Sequence, residues 1–109
     1  MGKKFRLNAD AIRSVAAGYG GCTATDMITV EGRCVGYMYR ESPNFAEDSG
    51  WVFMSGDESQ AYMDNPDNHE IYDVNTIANY DPDIIPLLQS PIGSAFQRDT
   101  HGKLVQVIE

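Results

Sequence analysis

Histidine, cysteine and tryptophan are scarce in this chain, long apolar runs are missing, and one half of it lacks basic residues. Two Cys, two His and one Trp are present among 109 residues. Cys22 and Cys34 lack CxxC spacing and have no His nearby, which excludes a zinc set. In a reducing compartment they are expected to be buried thiols or simply free. No segment approaches the roughly 20 apolar residues of a membrane span. Met1-Gly2-Lys3-Lys4 is basic, but the next dozen or so residues carry Arg6, Asp10 and Arg13 and lack the apolar run of a signal peptide. The expected location is therefore cytoplasmic, without disulfides.

The same scarcity bears on catalysis. A hydrolase needs a nucleophile with a base beside it. His69 and His101 both fall in predicted turns, and no GxSxG, HExxH or kinase-type signature occurs. Paired carboxylates serve glycosidases, but a chain this short leaves little room for a deep sugar cleft. No catalytic residue, metal ligand or cofactor is assigned, and the chain is read as a non-enzyme.

What is present is acid. From Glu41 to Gln97 there are eleven acids and no Lys or Arg, so that segment carries −11 while the two ends together carry +3. Such a field repels nucleic acid and anionic membrane and attracts basic protein surfaces or cations. A solubility role is the plain alternative. Asp64, Asn65, Asp67 and Asn68 gather oxygens within five residues, yet the EF-hand pattern fails at Pro66 and lacks its closing glycine and glutamate. An Asn/Asp-Pro turn explains that cluster, with a weak divalent-cation site of millimolar affinity as the alternative.

The pattern of apolar residues predicts one α+β domain, a small mixed or antiparallel sheet with short flanking helices. Its centre is Trp51-Val52-Phe53-Met54, apolar on both faces and hence an interior strand covered on both sides. Asn8 is placed to cap a helix over about Ala9–Ala17. The β-branched stretch Cys22–Glu31 predicts one or two strands broken near Asp26. A tight turn at Gly32-Arg33 then leads into Cys34–Arg40 as a hairpin. A helix is expected from Asp57 or Glu58 to about Met63, a short strand at Ile71–Val74, and one helical turn at Asn75–Tyr80. Asp81 caps a further helix with Pro82 at its first position, and Pro86 shortens or kinks it. Ile84, Ile85, Leu87 and Leu88 form its buried stripe. A hairpin turning at Asp99–Gly102 closes the chain, with Ser94–Arg98 and Lys103–Ile108 as its strands. In outline, residues 1–21 are an arm and helix, 22–99 the core and 100–109 a terminal strand.

Several stretches carry a family likeness. Val35-Gly36-Tyr37-Met38-Tyr39-Arg40-Glu41, Asp48-Ser49-Gly50-Trp51 with Phe53, Ser55-Gly56-Asp57-Glu58, Tyr62 to Asn68, and Ile71-Tyr72 through Pro91 to Phe96 resemble a bacterial family. It is the domain of unknown function numbered 2185, also classed as immunity protein 33 of polymorphic-toxin systems. The resemblance spans about Cys22 to Asp99. It implies a small cytoplasmic α+β protein that neutralises a toxin by binding it, and it brings no catalytic residues. Charge and resemblance agree in sign, because a carboxylate-rich face can mimic the phosphates that a nuclease toxin binds. The expected contacts are Glu47 and Asp48 before the central strand, Asp57 and Glu58 after it, and Asp64, Asp67 and Glu70 beyond. These three stretches adjoin strand ends and are expected to converge on one rim, facing a basic protein surface such as that of a cognate toxin. A stand-alone housekeeping or regulatory binding protein is the other reading.

Overall fold

The computed structural model describes residues 4–107; Lys3 of the predicted arm and Ile108 of the predicted last strand lie outside them. Six strands form one mixed sheet: β1 (Gly21–Thr25), β2 (Tyr37–Arg40), β3 (Asp48–Met54), β4 (His69–Asp73), β5 (Ala95–Arg98) and β6 (Leu104–Gln106). Their order is β4-β1-β3-β2-β5-β6. β1 runs parallel to β3, and every other neighbouring pair is antiparallel. Three short helices, α1 (Asp26–Thr29), α2 (Gln60–Asp64) and α3 (Val74–Tyr80), join 3-10 turns at Ala9–Ala11, Pro66–Asn68 and Pro82–Leu87. The α+β class holds.

β3 is interior, as its composition requires, and Trp51 is 1% exposed. Alternation along the strands sends Cys22, Ala24, Met38, Trp51, Phe53 and Phe96 to one face. There they pack with Ile28 of α1, Val74, Ile77 and Ala78 of α3, Ile84 of the Pro82–Leu87 turn and Leu88 just after it. The Trp51 ring stacks on Phe53 at 6.0 Å between centroids, and its Nε1 donates to the Leu88 carbonyl at 3.2 Å. Arg40, directly opposite Trp51 in β2, lies 5.8 Å from the indole and donates to the Ser49 and Ser90 carbonyls.

Four expectations need correction. The second face of the sheet has no helical layer over it: the buried hydrophobic residues of α1, α3 and the Pro82–Leu87 turn all belong to the single core, although Val52 on the second face is itself only 5% exposed. Nor does Cys22–Arg40 form a hairpin. Thr25 ends β1, residues 26–29 turn into α1, and β3 inserts between β1 and β2. Burial of Ile28 and Thr29 against the core overrides their β propensity. The helix over Ala9–Ala17 shrinks to the 3-10 turn at Ala9–Ala11. Beyond it, side chains of α3 take the backbone groups a helix would have used. Asn79 Oδ1 accepts from Arg13 N, Asn75 Oδ1 accepts from Val15 N and Ala16 N, and both side-chain amides donate to the Arg13 carbonyl. The segment after Asp81 is 3-10 rather than α, in keeping with Pro86, which has no N–H to donate. Its stripe divides, with Ile84 and Leu88 buried and Ile85 and Leu87 half-buried.

Candidate functional site: an open sheet face between two acidic ends

The alternation that fills the core leaves the other face to Thr23, Tyr37, Tyr39, Val52, Met54 and Ile71, with Gln97 and Val105 towards β6. Ile71 is 64% exposed and Val105 44%. Two loop residues extend the apolar area beside it, Phe45 from the β2–β3 connection and Ile92 before β5, 48% and 53% exposed. Each borders a surface cleft. Phe45 faces Ile71 and Glu47 across one of about 550 Å³, and Ile92 faces Tyr37 and Tyr39 across one of about 420 Å³. An apolar area of this kind, rimmed by charge, is the usual mark of a protein-binding surface.

The register shows where the predicted acids lie. Gly21 of β1 pairs with Asp48 on one side and Asp73 on the other, whereas Thr25 pairs with His69. Glu47 and Asp48 therefore stand at one end of the sheet. Asp57 and Glu58 leave β3 at the opposite end, where Asp64, Asp67 and Glu70 also lie along α2, the Pro66–Asn68 turn and the start of β4. Two of the three stretches come together and the third does not. A strand of β3's length separates them, about 20 Å at 3.3 Å per residue. Glu47, Asp57, Asp64, Asp67 and Glu70 are exposed and Asp48 is half-buried. Asp48 accepts from Asn44 N and Gly50 N, Asp57 pairs with Arg33 at 2.9 Å, and Asp64 accepts from Gln60.

Glu58 differs from its neighbours. Its carboxylate accepts from Thr25 Oγ1 at 2.5 Å, Ser55 N at 2.8 Å, Ser55 Oγ at 3.0 Å and Gly56 N at 2.9 Å, closing the turn after β3 over the end of β1. Partial burial alone would raise its pKa. The bonds from Thr25 and Ser55 outweigh that and hold it below the usual carboxylate value. A group whose folded pKa is depressed contributes stability above its unfolded pKa and loses it as pH falls through the folded one. The denaturation midpoint of wild type over Glu58→Gln should therefore shrink between about pH 6 and about pH 3. A gap independent of pH would show that the ionised carboxylate is not what closes this turn.

Three aromatics of the acidic stretch look inward. Trp51 is in the core, Tyr72 packs against it while its hydroxyl meets Thr29 and Glu70, and the Tyr80 hydroxyl donates to the Thr29 carbonyl. Tyr37, Tyr39, Ile71 and Val105 were the residues missed. Period-2 spacing does place Tyr37 and Tyr39 on one side, but it does not say which side meets the helices; Val35, two residues before β2 begins, lies in the core instead. His69 Nε2 lies 3.1 Å from the Met63 carbonyl and His101 is exposed. Cys22 is buried, and burial pushes its thiol far up, with Asp73 and Asp48 adding to it; Cys34 is exposed. Among the described residues no three of His, Cys, Asp and Glu are grouped to hold a metal ion, and no helix is long and apolar enough to cross a membrane.

The model of the immunity protein Imm33 domain matches residues 22–108. The chain belongs to this family. None of the curated proteins or solved structures matches it. The Imm33 match begins within β1, so the described sheet apart from Gly21 and all three helices lie inside the domain. The segment that Asn75 and Asn79 hold against α3 precedes it.

Proposed function

We propose that this Imm33 domain neutralises a cognate bacterial toxin in the cytoplasm by binding it, without catalysis. The contact is the open sheet face together with the acids at its two ends: exposed Glu47 and half-buried Asp48 at one, exposed Asp57, Asp64, Asp67 and Glu70 at the other. The observation that carries this reading is the one-sided sheet, with helices on one face and half-buried Tyr37 and Tyr39 beside exposed Ile71 and Val105 on the other. Membership of an immunity-protein family supplies the partner class. The acids favour a basic toxin surface, and fields of this kind act mainly on association. Glu58 stays in the reading as a support of its turn.

The test is co-expression with the toxin domain encoded in the adjacent reading frame, followed by binding kinetics. Wild type should restore growth and form a complex. Its association rate should fall about tenfold or more between low and physiological salt while dissociation changes little. Replacing Glu47, Asp64 and Asp67 together by Lys should slow association and leave the thermal midpoint within a few degrees, since exposed positions alter stability by only about 0.5 kcal/mol each. Failure to protect and failure to bind would remove the immunity role. Binding insensitive to salt and to these reversals would remove the acidic ends and leave the open face alone.

A further inference from the structure

We infer that the cleft beside Tyr37 and Tyr39 receives an arginine side chain of the protein partner, with Glu41 as its counter-ion. The inference rests on the proposed binding role and names the chemistry of its central contact.

Tyr37, Tyr39 and Glu41 sit at every second position, and the pairing of β2 with β3 continues past Arg40 through Glu41 N donating to the Gly50 carbonyl at 2.9 Å. Their side chains therefore line up on the open face. The two tyrosine rings lie 5.8 Å apart and tilted by 46°, so they do not cover one another's faces. Across β5 the partner of Tyr39 is Ala95 and that of Tyr37 is Gln97. A small residue opposite a large ring leaves a depression, and Ile92, Gly93 and Ser94 close its far side to give the cleft of about 420 Å³.

Chemistry selects the occupant. A ring face beside a carboxylate is a seat for a cation held within about 6 Å of the ring centroid. Guanidinium fits better than ammonium, because it is planar, stacks on aromatic faces and offers paired donors to a carboxylate. Glu41 is exposed and, among the described residues, makes no ion pair. Burial pushes the Tyr39 phenol up, with Glu41 and Tyr37 adding to the effect. One positive charge borders the cleft, that of Arg40. It belongs to the other face, over Trp51 and bound to two carbonyls, so it neither fills the seat nor neutralises Glu41. The stretch of chain from Glu41 to Gln97 holds ten further acids and no Lys or Arg. Charge and shape thus agree on a cationic, planar guest.

The probe is a capped Gly-Arg-Gly-Arg-Gly peptide, with its citrulline counterpart as the neutral control and backbone-amide NMR as the readout. Saturable shifts are expected at Tyr37, Tyr39, Ile92 and Gly93. Affinity should fall about fivefold in Tyr39→Ala and in Glu41→Gln, be kept in Tyr39→Phe, and be lost with citrulline. Glu41→Gln alters only an exposed side chain, so it reports on the cleft even if Tyr39→Ala is poorly folded. Shifts spread over Asp64, Asp67 and Glu70, or equal affinity for the citrulline peptide or the Glu41→Gln variant, would overturn the cleft. Toxin binding that survives these two variants would also overturn it while leaving the immunity role intact. A peptide held in the cleft by a chain that binds no toxin would instead remove the role.

Discussion

Trp51→Ala should cost about 3–5 kcal/mol, the range for emptying an aromatic site in a packed core. The ring is 1% exposed, stacked on Phe53, tilted against Phe96 at 6.3 Å and capped by the Arg40 guanidinium. Its removal opens a cavity between β3 and the Pro82–Leu87 turn, and it strips the Leu88 carbonyl of its donor. A domain of this size has a total stability of about 5–15 kcal/mol, so the variant should lose a large part of its urea midpoint and populate unfolded chain on mild heating. Trp51→Phe keeps a ring against Phe53 and should lose less. A loss below about 1 kcal/mol for the alanine variant would mean that the indole does not hold the helical layer to the sheet.

Asp81→Ala should be comparably damaging for a different reason. Asp81 is 4% exposed. Its Oδ2 accepts from Val35 N at 2.9 Å and Arg98 Nη2 at 2.6 Å, and its Oδ1 accepts from Asp83 N, capping the 3-10 turn. Arg98 in turn donates to the carbonyls of Val35 and Gly102 and to Asp83. One carboxylate thus ties the turn after α3 to the strand β5, to the terminal hairpin and to the entry of β2. Alanine leaves a mostly buried guanidinium without its closest partner and a buried N–H without an acceptor. Breaking such a pair from one side costs about 3–5 kcal/mol. Asp81→Asn retains an acceptor for Val35 N and should lose roughly half as much, about 1.5–3 kcal/mol. Equal urea midpoints for the two variants would show that the charge adds nothing to the cap. Because Arg98 keeps three other acceptors, the damage should concentrate at Val35 and the turn, and amide exchange there should quicken first.

Local chemistry made much of this legible in the sequence. Alternation of Trp51 and Phe53 with Val52 and Met54 marked the interior strand. Asp81-Pro82 marked a capped start, though of a helix that formed as a 3-10 turn, and Asp99 to Gly102 marked the tip of the last hairpin, whose strands β5 and β6 formed. In each case the deciding residues lie within a few positions of one another, so pleat, capping and turn geometry act without help from distant chain.

Strand order and the face left open were decided only in the tertiary structure. β3 is apolar on both sides, so its pattern fits either face towards the helices; the choice fell to which side meets Ile28, Ile77 and Leu88. The parallel pairing of β1 with β3 displaced the expected hairpin. Asn75 and Asn79, some 60 residues along the chain, took the backbone groups of the segment read as a helix. The acids were counted correctly but placed on one rim, whereas the register of β1 with β3 and β4 sends them to opposite ends. Composition fixes how much charge a chain carries, and pairing between distant strands fixes where that charge stands. The tyrosines of β2 became a surface feature for the same reason: Trp51 and Phe53 took the helical side, and the alternation left Tyr37, Tyr39 and Glu41 on the other.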